Sequence, residues 1–120
     1  MAEHNILGKE GEELAVGYLK EKGYKIRETN WTHVKEEIDI IAEKDDTLII
    51  VEVKTRSGYY FGEPEEFVAR KKQKHLIKAA NAYIEENEID LETRFDIISI
   101  IYSGKTYKIN HLEDAFYPLL

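Results

Sequence analysis

The chain has 120 residues, 42% of them hydrophobic, and no cysteine. That length fits a single domain over residues 1–120 that buries its core without disulfides or a thiolate-held metal. Its 17 Lys and Arg against 24 Asp and Glu leave a formal charge of −7, which excludes a protein gripping a polyanion with its whole surface; any nucleic-acid contact has to rest on a local basic patch.

The periodicity predicts a first helix over residues 8–22. Gly11, Leu14, Ala15, Tyr18 and Leu19 recur at intervals of three and four, and Gly23 stands where a left-handed cap is expected. Residues 24–31 alternate loosely as a first strand, and residues 38–42 form a second that turns at Asp45-Asp46. Residues 47–55 are a third strand. Its run Leu48-Ile49-Ile50-Val51 is apolar on both faces, as in a central strand covered on both sides. A loop rich in Gly and Tyr spans residues 57–64, and a longer helix follows over 65–86. Two further strands occupy 95–102 and 106–110, joined by a turn at Ser103-Gly104-Lys105. The order α-β-β-β-α-β-β predicts an α/β fold. Its sheet is mixed and flanked by helices, and a crossover through the second helix brings in a parallel strand. No apolar run approaches the roughly 20 residues of a membrane span. Nor do the opening residues, Met1-Ala2-Glu3-His4-Asn5, read as a signal segment. The cytoplasm is the expected location.

Charged residues interrupt the apolar strands at Ile38-Asp39-Ile40 and Val51-Glu52-Val53-Lys54. Charges so placed are costly to bury unless paired or bound to metal. Glu52 and Lys54 share a face of their strand, and a turn at Asp45-Asp46 pairs Ala42 with about Ile49, bringing Asp39 opposite Glu52. Two carboxylates side by side repel; a divalent cation offsets the repulsion. Asp39 and Glu52 are therefore the candidate metal ligands. Mg²⁺, with Mn²⁺ as a substitute, suits so few carboxylates because it keeps several waters and also binds phosphate. Lys54 is placed to orient a water or to balance developing charge. Taken alone, a Glu-x-Lys pair on a strand is most simply a solvated ion pair; the apolar surroundings and Asp39 favour a site.

On the first helix, Glu12 borders the apolar stripe and Glu13 faces water, so Glu12 is the better candidate to reach the sheet, although periodicity alone favours the simpler reading of an acid that complements the helix dipole in the first turn. On the second, Lys71, Lys74, His75 and Lys78 cluster opposite Leu76, Ala80 and Tyr83, and form either the one credible phosphate-binding face or simply a solvated one. Arg56 and the aromatics Tyr59, Tyr60 and Phe61 lie just before it, where rings can stack on bases or close the core. The four histidines show no metal-ligand spacing.

With these residues in view, the chain resembles the YraN family of bacterial proteins from Leu7 to about Phe116. The likeness is carried by Leu7-Gly8-Lys9-Glu10-Gly11-Glu12-Glu13-Leu14-Ala15, Gly23-Tyr24, Asn30-Trp31, Glu37-Ile38-Asp39-Ile40-Ile41-Ala42, Val51-Glu52-Val53-Lys54-Thr55-Arg56, Phe61-Gly62, Lys72-Gln73 and Arg94-Phe95-Asp96. That family is similar to the PD-(D/E)xK nuclease superfamily, and most of all to the archaeal Holliday-junction resolvases. The resemblance implies a restriction-endonuclease-like core, metal-dependent cleavage of DNA and a homodimer. It puts the superfamily's Asp on Asp39, its Glu-x-Lys on Glu52 and Lys54, and the resolvases' helix-borne Glu on Glu12. A nucleic-acid-binding module that keeps the fold and cleaves little is the alternative, suggested by the acidic balance. One departure stands out: Glu36 occupies a position where the family commonly has Gly, and an extra acid there is expected to alter the start of the strand or weaken substrate approach.

Overall fold

The computed structural model describes residues 2–57 and 69–118, with side chains over 8–56 and 69–118. The elements follow the predicted order: α1 (Ala2–Glu21), β1 (Lys25–His33), β2 (Glu36–Lys44), β3 (Thr47–Ser57), α2 (Arg70–Glu86), β4 (Glu92–Ser103) and β5 (Thr106–Phe116). The strands lie in one sheet in sequence order, β1-β2-β3-β4-β5. All pairs are antiparallel except β3 with β4, which run parallel on either side of the α2 crossover. This is the restriction-endonuclease-like topology, a mixed sheet flanked by helices.

Local chemistry explains the boundaries. Helix α1 ends at Gly23, whose φ of 91° allows the Tyr24 N–H to reach the Leu19 carbonyl at 2.9 Å and the Gly23 N–H to reach that of Lys20 at 3.0 Å. Those two bonds satisfy carbonyls that the helix end would otherwise leave open. Asp45 and Asp46 both take left-handed φ, 51° and 58°, which matches the twist of a two-residue hairpin. That turn sets the β2–β3 register at Ala42 opposite Ile49. The last strand runs six residues beyond its expected end at Asn110, to Phe116. Helix α2 begins at Arg70, after an extended Ala69; the start expected near residue 65, and Tyr59, Tyr60 and Phe61, lie outside the described residues.

Two apolar layers hold the sheet. On one face α1 packs Ala15 and Leu19 against Ile40, Ala42, Ile49, Val51, Ile98 and Ile100. On the other α2 packs Leu76, Ala80 and Tyr83 against Ile38, Ile41, Leu48, Ile50 and Phe95. Covered on both faces, Leu48 to Val51 can be apolar throughout, as the sequence requires. Among the described residues, no helix is long and apolar enough to cross a membrane.

Candidate metal centre

The site forms where β2 and β3 part. Their pairing ends at Ile40 opposite Val51, one step before Asp39 would meet Glu52. Ile38 belongs to the α2 layer and Ile40, two residues on, to the α1 layer. The alternation of a regular strand is therefore broken around Asp39. Asn30, which the β1–β2 register brings opposite this point, is irregular too, with φ at 50°. The Asp39 carboxylate fills the gap in the ladder: its Oδ2 accepts the Val53 backbone N–H at 2.8 Å.

Four acids converge there. Carboxylate oxygens of Glu12, Glu37 and Asp39 lie within 4.8 Å of one another. Behind Asp39 stands Glu52, within hydrogen-bonding reach of its carboxyl. The group runs from exposed Glu37, through half-buried Glu12 and Asp39, to buried Glu52. Burial first, and then the Glu52 carboxylate, push the Asp39 carboxyl up to about 8. Glu12 is also raised, by burial and then by Asp39, against a hydrogen bond from Asn30.

The cation closest to these acids comes from α2. Lys72 Nζ lies 3.4 Å from Glu52 Oε2, an oxygen that otherwise has no hydrogen-bond partner among the described residues. Lys54 lies beyond Glu52 on the same strand, half-buried beside Ser99 of β4. Among the described residues it has no ion pair with any of the four acids.

Helix α1 delivers Glu12 because Gly11 lets it approach the sheet. A Cβ on Gly11 would overlap the Thr55 side chain. The solvent side of the group is a cavity of about 280 Å³ whose lining includes Lys9, Glu12, Asn30, Thr29 and Asp39.

The donor set suits a hard divalent cation. All the groups are carboxylates, which Mg²⁺ and Mn²⁺ prefer. Separations below 4.8 Å need only small side-chain rotations to share one ion at about 2.1 Å from each oxygen. The raised Asp39 and Glu12 carboxyls and the orphaned Glu52 oxygen mark a cluster short of positive charge.

Of the residues expected from the sequence, the structure brings together Glu12, Asp39 and Glu52 and leaves Glu13 exposed. Glu37 and Lys72, which join them, were not expected there. Strict alternation from Asp39 does mark Glu37 as a same-side neighbour two residues away. The family likeness includes Lys72 without giving it a role, and no local periodicity predicts its reach to Glu52 across the helix–sheet interface. The expected direct pairing of Asp39 with Glu52 is replaced by the Asp39–Val53 bond, because the ladder stops one residue early. Lys71, Lys74 and Lys78 are exposed on α2 as expected. Arg56 turns one guanidinium nitrogen back to the Thr55 carbonyl at 3.2 Å. Glu36 is mostly buried and faces Lys78 at 3.9 Å.

A second polar group had no forecast. Buried Asp96 binds the Arg94 guanidinium through both oxygens at 2.8 Å, accepts the Asp114 N–H at 3.0 Å and lies 2.7 Å from His111 Nε2. Tyr18 meets His111 Nδ1 at 3.1 Å, and Arg94 donates to the Tyr24 hydroxyl at 2.9 Å. Burial, the largest single influence, pushes the Asp96 carboxyl up, but the bonds from His111, Arg94 and Asp114 together hold it below its usual range. The network ties α1, β4 and β5 together and is far more satisfied than the acid group at the β2–β3 fork.

The fold and the acidic group define a restriction-endonuclease-like protein related to the PD-(D/E)xK nucleases. Residues 11–100 match the family described as Uncharacterised protein family UPF0102, and the chain belongs to it. A UPF0102 protein of Flavobacterium psychrophilum is 58% identical over 117 residues, covering 98% of both chains. One of Christiangramia forsetii is 56% identical over 117 residues with the same coverage. A third, of Bacteroides thetaiotaomicron, is 51% identical over 120 residues, covering 100% of this chain and 99% of its own.

Proposed function

We propose that this protein is a Mg²⁺-dependent nuclease acting on DNA, with branched DNA among its substrates. The observation that carries the reading is the convergence of Glu12, Glu37 and Asp39 within 4.8 Å, backed by buried Glu52. So many carboxylates with one close cation favour a bound metal over a structural ion pair. Asp39, Glu12 and Glu37 hold the ion, and Glu52 joins them or fixes Asp39 from behind. When bound, a divalent cation supplies polarisation of a phosphoryl oxygen and a more acidic water.

The chain's own groups do the rest. The Val53 N–H fixes Asp39, and Lys72 fixes Glu52. Lys54, free of the carboxylates, is available to orient the attacking water or balance charge on the phosphate. The exposed Lys71, Lys74 and Lys78 supply phosphate contacts in a chain whose overall charge opposes a polyanion. Arg56 adds another at the end of β3.

The test combines cleavage with direct detection of the ion. Labelled branched, single-stranded and duplex DNA, and RNA, are incubated with wild type and Glu52→Gln in Mg²⁺ or Mn²⁺. Crystals soaked in Mn²⁺ are examined for anomalous density. Cleavage lost in Glu52→Gln, with density between Glu12 and Asp39, is the expected result. No cleavage of any substrate and no density at the β2–β3 fork would end the nuclease reading. Density and binding without cleavage would favour the binding-module alternative.

A further inference from the structure

The outward side of α2 carries a feature that the carboxylate chemistry does not use. Arg70, Lys74, Ile77, Lys78 and Asn81 recur at helical spacing, and Tyr117, just past β5, faces them across a cavity of about 260 Å³. Tyr117 is 66% exposed, so its ring lines the cavity from the surface and is not part of the core. Ile77 gives the cavity an apolar side. Among the described residues, Arg70 and Lys74 have no acidic partner, and Lys78 has only Glu36 at 3.9 Å.

This combination matches one nucleotide. A base needs an aromatic face to stack on, its phosphate needs cations at the rim, and its polar edge needs an amide such as that of Asn81. The volume lies at or below the lower end of ligand pockets, about 300 Å³, and suits a single monomer unit. A duplex keeps its bases stacked and paired, and has no ring free to enter. We propose that this cavity binds one unpaired nucleotide of a nucleic-acid strand, its base on Tyr117 and its phosphate on Arg70 and Lys74. The inference rests on the nucleic-acid reading above and narrows the substrate to one that exposes unpaired nucleotides. Lys72, between Arg70 and Lys74 on the same helix, holds Glu52, so the occupied cavity and the acid group share one rigid element.

Fluorescence anisotropy with labelled oligothymidylate and a duplex of equal length, in EDTA, tests this without any need for cleavage. Wild type binds the single strand more tightly than the duplex. Tyr117→Ala weakens single-strand binding by roughly tenfold, the loss expected for one stacked base, and leaves duplex binding unchanged. Tyr117→Trp restores it, and Lys74→Glu weakens both ligands. Circular dichroism identical to wild type shows that the variants are folded. Wild-type affinity of Tyr117→Ala for the single strand overturns the proposal. So does displacement of the labelled strand by an acidic peptide as effectively as by unlabelled strand. Tyr117-dependent binding by a protein that cleaves nothing supports the cavity and removes the nuclease reading; metal-dependent cleavage with Tyr117-independent binding does the opposite.

Discussion

Asp39 Oδ2 accepts the Val53 backbone N–H at 2.8 Å, so a side chain of β2 supplies the bond that the β2–β3 ladder drops at that level. The same carboxyl faces Glu52 on one side and Glu12 and Glu37 on the other. Asp39 is thus both the point where β2 leaves β3 and the centre of the acid group.

That position has a pH signature. The folded Asp39 carboxyl sits at about 8 against an ordinary value of 3.8. Between those values the folded protein holds a proton that the unfolded chain has released, so this group's contribution to stability falls as pH rises across that window and is flat above it. In urea titrations with EDTA, wild type should lose stability relative to Asp39→Asn between about pH 5 and about pH 8.5. Parallel curves for the two proteins would count against a raised Asp39.

Metal should reverse that loss. An ion bound only by the folded state stabilises it by about 2.7 kcal/mol at a hundredfold excess over Kd. Millimolar Mg²⁺ or Mn²⁺ should therefore raise the wild-type Tm by several degrees. The rise should be small or absent in Glu12→Gln and in Asp39→Asn, and reduced in Glu37→Gln. Equal shifts in all four proteins would place the ion elsewhere.

Glu52, Lys72 and Lys54 separate chemistry from folding. Glu52→Gln keeps the shape and should abolish metal-dependent cleavage while changing stability by less than about 1 kcal/mol, since it removes a repulsion with Asp39 and the ion pair with Lys72 together. Lys72→Met removes the cation nearest a buried carboxylate. Because Lys72 is itself partly exposed, the loss should be about 1 kcal/mol. Lys54→Met should spare the fold and lower turnover more than binding. Denaturant melts beside single-turnover cleavage distinguish the three.

Gly11 is a positioning test. An added Cβ overlaps Thr55, so Gly11→Ala should push α1 off the sheet at a cost of about 1–3 kcal/mol and carry Glu12 away from Asp39. Weakened Mn²⁺ binding in Gly11→Ala, restored by the second change Thr55→Ala, would confirm that the close approach serves the site. Restored stability without restored Mn²⁺ binding would confine Gly11 to packing.

The Asp96 network should behave as structure. Asp96→Ala leaves a partly exposed guanidinium and a largely buried imidazole without their shared partner, and should cost about 3 kcal/mol while leaving Mn²⁺ affinity intact. Its pH signature is opposite to that of Asp39. A carboxyl held below its ordinary value of 3.8 contributes stability above that value and loses it as pH falls further. A large drop in metal affinity in a folded Asp96 variant would tie this network to the site after all.

The sequence alone determined the order of elements, the central place of β3 and the choice of Glu12 over Glu13. All three follow from local periodicity: a strand covered on both faces must be apolar throughout, and a helix wheel assigns a face to every residue. The Asp45-Asp46 turn also fixed the register of Ala42 with Ile49, because a two-residue hairpin leaves little freedom. What periodicity cannot contain is where pairing stops. Asp39 departs from its expected partner because β2 and β3 separate one residue early, and Asn30 on the other neighbour is irregular at the same level. Only the tertiary structure decided that Lys72, and not Lys54, pairs with Glu52, since that contact joins residues 20 positions apart through the packing of α2 on the sheet. The Asp96–His111–Tyr18 network was equally hidden, because its bonds join α1, β4 and β5 across the fold, and no spacing along the chain records which side chains will share one buried space.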